Sequence, residues 1–367
     1  MPSVAAALGV DGYTDVVGVP RAKKAVVVLV DGLGSTLLKR HSSYAPTLKS
    51  ASATAGSKVL DTVFPSTTAA ALTSLATGTS PSVHGIVGYD AFDPVRRRVV
   101  NQLGSWPKDL DPEAWQPVPT LFEQLPAHGV EVTTVSRDKF RSSALTRASL
   151  RGGRFVAAAN AETRVKLTLD ALRKSKRGLV YLYWDDLDKV GHSHGVNSPK
   201  WLATLEELDS CMRRLAAGVD SDTLVLVSAD HGMVDVPRSA RLDYASEDPA
   251  LLDGVEFTAG EPRGVQLHFS PDASDAQRTA TRQAWEGLHG NEAWIVTRQE
   301  ALDLGWFGPA PRAGVPERIG DLIIAAHADV AFYDSRRSLP KAFDMVGQHG
   351  SLTKAERKIP LVFLARP

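Results

Sequence analysis

The chain has 367 residues, 43% of them hydrophobic and 23% charged, enough to bury the core of one large α/β domain or of two smaller ones. Its 42 Lys and Arg residues balance 42 Asp and Glu, and "RRR" at 96–98 is too short to track a nucleic-acid backbone, so a polymer-binding role is not expected. The single cysteine, Cys211, excludes an internal disulfide and a thiolate zinc cluster.

The first twenty residues, "MPSVAAALGVDGYTDVVGVP", lack a basic stretch followed by a long apolar run. No segment reaches about 18 consecutive apolar residues. The expectation is a cytoplasmic chain with no membrane contact. "KAVVVLV" (24–30) is apolar without alternation, as in a strand covered on both faces, and Asp31 follows it. "PTLKSASATA" predicts a helix. "SKVLDTVFP" then leads into Ser66, Thr67 and Thr68, with three alanines behind them. Those hydroxyls suit a helix cap, and one of them suits a nucleophile; the stretch alone does not choose.

"VEVTTVS" (130–136) predicts the next strand and "ETRVKLTLDALRKSK" (162–176) a helix. "GLVYLYW" (178–184) predicts a strand followed by Asp185, Asp186, Asp188 and His192. Ser198 and Pro199 form an N-cap and first-turn pair for a helix over 198–218, where Cys211 is expected to be a buried, inert thiol. "TLVLVSA" (223–229) is followed by Asp230 and His231, and "IPLVFLA" (359–365) predicts a closing strand. Between them, about 235–345 reads differently. It holds a predicted strand "VQLHFS", a helix "SDAQRTATRQAWEGL" and the Gly/Pro-rich loop "GWFGPAPRAGVPERIGD", and predicts an inserted or cap subdomain. The rest reads as a single catalytic α/β domain: a mostly parallel central sheet, with helices on both faces and all five runs parallel.

In an open parallel sheet, ligands bind beyond the carboxyl ends of the strands. Here three strand ends deliver carboxylates and imidazoles to that edge, and a fourth delivers hydroxyls. An Asp after a strand is commonly only a helix cap. Three acidic ends together would repel one another unless a cation sat among them. Imidazole mixed with carboxylate suits zinc, manganese or iron. Rival motifs are absent: "GLGSTL" (32–37) has Leu37 where a dinucleotide fingerprint needs its third glycine, and no HExxH, GxSxG or GxxxxGK[ST] occurs. His41, His128, His268, His289 and His327 lack acidic partners at ligand spacing, and His84 reads as structural.

Five stretches in order resemble the alkaline phosphatase superfamily, and within it the nucleotide pyrophosphatase/phosphodiesterase branch. They are "VVVLVDG", "FPSTTAAALTSLATGTSPSVHGIVGY", "YWDDLDKVGHSHG", "VSADHGM" and "GQHGS". The resemblance implies the alkaline phosphatase-like fold and a two-zinc site, with manganese as the alternative metal. One ion would be held by Asp188, His192 and His349, the other by Asp31, Asp230 and His231. Thr68, nine residues before the Thr of "TG", would be the nucleophile, its oxygen touching a metal; Pro65 and Ser66 then read as the turn and cap, and Thr67 as a bystander. Asp185 and Asp186 fall at acidic positions that are not ligands, and His194 falls where relatives often carry Tyr. Ala71 stands where members of this branch carry an asparagine, which removes one side-chain donor.

The implied activity is hydrolysis of a small phosphate ester, nucleotides included, through a phosphothreonine intermediate. A phosphomonoesterase or a phosphonate (C–P) hydrolase on the same metals is the alternative, and a non-catalytic metal-binding relative is the third reading. No Arg lies near residue 68, which favours a diester; Arg137, Arg141, Arg151 and Arg154 are the candidates to reach in for a monoester. Tyr89, Phe92 and Trp106 are read as core or cap packing.

Overall fold

The apolar runs fold as strands because each can bury both faces. In chain order the organising strands are β1 (Lys24–Val30), β2 (Lys58–Asp61), β3 (Glu131–Ser136), β4 (Arg154–Ala157), β5 (Gly178–Trp184), β6 (Thr223–Ser228), β7 (Val255–Glu261), β8 (Gly264–Phe269), β9 (Ala293–Thr297), β10 (Leu322–Ala326) and β11 (Lys358–Ala365). The main helices are α1 (Thr68–Thr77), α2 (Ala161–Lys174), α3 (Asp186–His194), α4 (Pro199–Gly218) and α5 (Asp275–His289). The computed structural model describes residues 1–104 and 106–367.

Seven strands form one sheet in the order β2-β11-β6-β1-β5-β3-β4. β1 is parallel to both β5 and β6, and β3 is parallel to β4 and β5. One face packs Val26, Val28 and Val30 against Trp201, Leu205 and Met212 of α4. The other packs Ala25, Val27 and Leu29 with Leu72 and Ala76 of α1. α4 starts as its sequence predicts: the Ser198 hydroxyl accepts the Trp201 N–H at 3.2 Å, and Pro199 takes the first turn. Cys211 is fully buried in this layer, and burial pushes its thiol pKa up.

One expected direction is wrong. β11 runs antiparallel to both β6 and β2. An unbroken apolar run records burial on both faces, which an antiparallel strand inside a covered sheet shares, so the run could not give direction. β2 therefore still points the same way as β6, and its carboxyl end reaches the same edge.

β7 to β10 build a separate four-stranded antiparallel sheet, in the order β7-β8-β10-β9. With Trp285 of α5, Tyr244 and Phe332 it encloses its own apolar core. A fully buried ion pair ties this subdomain to the main sheet. Arg263, in the β7–β8 turn, donates to Glu356 through Nε at 2.8 Å and Nη2 at 2.9 Å. Glu356 also accepts the Ser351 N–H at 3.0 Å, two residues beyond His349. Among the described residues no helix is long and apolar enough to cross a membrane.

Candidate active site

The carboxyl edge of the central sheet gathers all seven residues singled out in the sequence. Asp31 follows β1, Asp230 and His231 follow β6, and Asp188 and His192 lie one turn apart on α3 after β5. His349 sits on the loop before β11, and Thr68 is the first residue of α1. Each imidazole is oriented by its Nδ1–H, which donates to a backbone carbonyl: His192 to Gly347 at 2.7 Å, His231 to Gly232 at 3.0 Å, His349 to Ser66 at 2.9 Å. A carbonyl only accepts, so all three Nε2 lone pairs face inward.

His192 Nε2 lies 3.3 Å from Asp188 Oδ1, and His349 Nε2 lies 3.8 Å from the same atom. His231 Nε2 lies 3.4 Å from Asp31 Oδ1, 3.7 Å from Asp230 Oδ2 and 3.2 Å from the Thr68 hydroxyl. Ligand atoms of Asp188, His192 and His349 fall within 4.8 Å of one another, as do those of Asp31, Asp188 and His231, so Asp188 stands at the junction of two clusters. Asp31 Oδ1, Asp188 Oδ1 and Asp230 Oδ2 are buried without a hydrogen-bond partner. Burial, reinforced by Asp188 and Asp230, pushes the Asp31 carboxyl well above its ordinary range. Burial, reinforced by His231 and His192, holds His349 well below the usual imidazole range. Converging orphaned carboxylate oxygens and imidazole nitrogens are the donor set of a divalent cation.

The other oxygens of Asp230 and Asp31 are held. Asp230 Oδ1 accepts the Gly32 N–H at 3.1 Å and the His231 N–H at 3.0 Å. Asp31 Oδ2 accepts the hydroxyl of Tyr183, which burial keeps protonated. Sequence reasoning passed over Tyr183. The signal was there: Leu29 pairs with Tyr183 in register, and period-two alternation puts Asp31 on the same face as both.

Two expected roles change. Ser66 is not a cap: its hydroxyl donates to the Ser351 carbonyl at 2.7 Å and accepts the Gly350 N–H at 3.2 Å, tying the turn before Thr68 to the His349 loop. Thr67 is the N-cap residue, and its side chain makes no capping bond. The amides of Thr68, Ala69 and Ala70 consequently keep no protein acceptor among the described residues. His289 also departs from expectation, since Glu292 lies 2.9 Å from its Nδ1 and Glu247 3.1 Å from its Nε2. Glu247 is 42 residues away in the chain, so spacing could not reveal it. The two carboxylates sit on opposite ring nitrogens, which clamps the ring and does not converge on a common point.

Asp185 and Asp186 point away from the clusters and pair with Arg137, Arg164 and Lys189. Arg141 is held by Asp138 and Arg151 by Glu123, and none of Arg137, Arg141, Arg151 or Arg154 lines the site. His84 is structural: it is buried, its Nδ1 accepts the Ile86 N–H at 3.1 Å and its Nε2–H meets Ser74 at 2.8 Å, while burial with Arg312 and Arg318 nearby takes its pKa to about 3. His194 is exposed beside Lys200. Phe92 packs on Phe257 and His268, and Trp106 on Trp115, as expected. Tyr89 differs, because it lines the site.

A cleft of about 550 Å³ opens over Thr68, Asp188, His192 and His349. Its far wall comes from the inserted sheet and the 331–348 segment, including Glu261, Phe332, Arg337 and Lys341. None of these was legible in the sequence, because that region carries no recognisable motif.

The model of the type I phosphodiesterase / nucleotide pyrophosphatase family matches residues 25–352. Alkaline phosphatase PhoD of Zymomonas mobilis is 26% identical over 212 residues, 48% of this chain and 36% of that protein; the chain thus matches about a third of the length of this curated relative. Phosphonoacetate hydrolase from Sinorhizobium meliloti, solved with phosphonoformate, superposes with a TM-score of 0.71 at 19% identity, covering 95% of this chain and 91% of that one. An inactive threonine-to-alanine form of murine ectonucleotide pyrophosphatase / phosphodiesterase 5, solved with AMP, gives 0.69 at 16% identity over 93% and 87%. These structures share the fold, and the family match spans all five motifs: the chain belongs to the type I phosphodiesterase / nucleotide pyrophosphatase family of the alkaline phosphatase superfamily.

Proposed function

We propose that this protein is a two-metal phosphoric ester hydrolase of the phosphodiesterase/nucleotide pyrophosphatase type, with Thr68 as nucleophile. The observation that carries the reading is the convergence of three orphaned carboxylate oxygens and three imidazole nitrogens, with the Thr68 hydroxyl 3.2 Å from His231 Nε2. Asp188, His192 and His349 would hold one zinc ion, and Asp31, Asp230 and His231 the other. With three imidazoles and no thiolate, zinc fits best, and manganese is the second choice. Bound there, such ions neutralise phosphoryl oxygens and stabilise the charge of attacking and leaving oxygens.

The chain's own groups do the rest. The free amides of Thr68, Ala69 and Ala70 open the ten-residue helix α1 at its positive end, which seats phosphoryl oxygens beside the nucleophile. They also offset the donor that Ala71 does not provide. Thr68 Oγ1 attacks phosphorus and forms a P–O bond as the opposite P–O bond breaks. The leaving alcohol takes up the proton that Thr68 loses. Water then cleaves the phosphothreonine and restores the Thr68 hydroxyl. Ser66 and its bonds to the His349 loop keep attacker and imidazoles in register. The substrate is a small phosphate ester, nucleotides included, and no nucleic-acid polymer is expected.

The test is metal analysis of the purified protein combined with a comparison of bis-p-nitrophenyl phosphate and p-nitrophenyl phosphate. Two zinc equivalents and preferred turnover of the diester are expected. An active protein without bound metal, or a monoester preferred by orders of magnitude, would refute the reading.

A further inference from the structure

Between α1 and the central sheet lies a second cavity, about 40 Å³ in volume, which shares Thr68 with the cleft. Four hydroxyl side chains of the sheet line it: Thr134 and Ser136 of β3, Tyr181 and Tyr183 of β5. Thr134 pairs with Tyr181 in register, and period-two alternation puts Ser136 and Tyr183 on the same face, against which Leu72 of α1 packs. Tyr183 donates to Asp31, but the hydroxyls of Thr134, Ser136 and Tyr181 have no partner, although these residues are only 4%, 2% and 0% exposed. By contrast, the buried hydroxyl of Thr73 on α1 finds that of Ser149 at 2.6 Å.

Three unpartnered hydroxyls around one space point to a ligand that bonds to them. An unpaired buried hydroxyl is costly, and valine, alanine and phenylalanine would fill the same three positions without that cost. No charged side chain among the described residues lines the cavity, so a bare ion would find nothing to offset its lost hydration. A water needs about 10–15 Å³ of such space and two to four polar partners, so about three waters fit. Tyr183 spends its proton on Asp31 Oδ2, and burial keeps both tyrosines protonated. The Tyr183 oxygen is therefore left to accept from the cavity, and a bond accepted there strengthens the one it donates to Asp31.

We infer that this cavity binds a cluster of about three waters, held by Thr134, Ser136 and Tyr181, which donates to the Tyr183 oxygen and through it fixes Asp31 for its metal. Thr134, Ser136 and Tyr181 are thus positioning residues that act on Asp31 through Tyr183. The link to Asp31 rests on the two-metal reading above.

The experiment compares the parent with Thr134→Val/Ser136→Ala, which nearly keeps both side-chain volumes, and with Thr134→Ser, which keeps the hydroxyl. Crystallographic density, urea unfolding and zinc affinity by chelator competition are the readouts. In the parent, water density is expected within hydrogen-bond distance of the Thr134, Ser136 and Tyr181 hydroxyls. The double variant should show a lower urea midpoint and zinc binding weaker by about threefold, less than for loss of the direct partner Tyr183; Thr134→Ser should stay close to the parent. In a Tyr183→Phe background the same pair of changes should leave zinc affinity unmoved, which a general loosening of the fold would not do. A cavity without water density overturns the inference, as does a urea midpoint that rises in the double variant because two unpaired hydroxyls are gone. Zinc affinity that does not fall, or that falls equally with and without the Tyr183 hydroxyl, also overturns it. A parent that binds no zinc overturns the two-metal reading and with it the link to Asp31; the density and the urea midpoint then decide the water cluster by themselves.

Discussion

Glu356→Gln tests whether the inserted sheet is fastened to the segment after His349 by a buried charge pair. Both Glu356 and Arg263 are fully buried, and their contact is two-pronged at 2.8 and 2.9 Å. Removing one charge strands the other in a low-dielectric site, which costs about 3–5 kcal/mol. Arg263 keeps its bonds to the Ala328 and Val330 carbonyls, at 2.8 and 2.7 Å, so the lower end, about 3 kcal/mol, is expected. For a chain of this size that corresponds to a fall in Tm of roughly 4 °C. The assay is urea unfolding followed by two probes, so that coincident transitions justify the two-state value. The double variant Arg263→Met/Glu356→Leu should recover most of the loss, because an apolar pair leaves no orphaned charge. A loss below about 1 kcal/mol for Glu356→Gln, or a double variant weaker than the single, would refute the reasoning.

Thr68→Ala should lower turnover of bis-p-nitrophenyl phosphate by roughly 10³ or more while metal content stays the same; activity within tenfold of the parent would remove Thr68 as nucleophile. Tyr183→Phe deletes the hydroxyl that holds Asp31 Oδ2 and should weaken metal affinity by about 10- to 100-fold, measured by chelator competition; unchanged affinity would show that Asp31 needs no such support. Burial alone would raise the Asp185 carboxyl, but Lys189 and Arg137 bring it below the usual range. A depressed folded value means this contribution is complete above the unfolded pKa of about 4 and is lost as pH falls through the folded one. Stability to urea should therefore drop below about pH 4, and the drop should be smaller in Asp185→Asn; an identical acid profile would count against the pairing.

The ends of the apolar runs were the most readable part of the site. Asp31, Asp188, Asp230 and His231 follow strands whose position is set by local burial, and a parallel arrangement sends those ends to one edge. The hydroxyl stretch was half readable. Spacing pointed to Thr68, but Ser66 read as a cap because its true partners, the Ser351 carbonyl and the Gly350 amide, lie about 285 residues on. One acidic partner of His289, Glu247, was hidden for the same reason, coming from a distant turn, whereas the other, Glu292, stands only three residues on and was readable.

The sequence by itself determined which segments bury both faces, hence the central sheet, and which acids and imidazoles close its strands, hence the donor chemistry of the two candidate clusters. Tertiary structure decided the direction of β11, the Tyr183 bond to Asp31, the Arg263–Glu356 clamp and the far wall of the cleft over Thr68. The physical reason is range. Hydrophobic runs and strand ends are written in neighbouring residues, whereas a hydrogen bond, an ion pair or a cleft wall depends on groups that only the folded chain brings within a few ångströms.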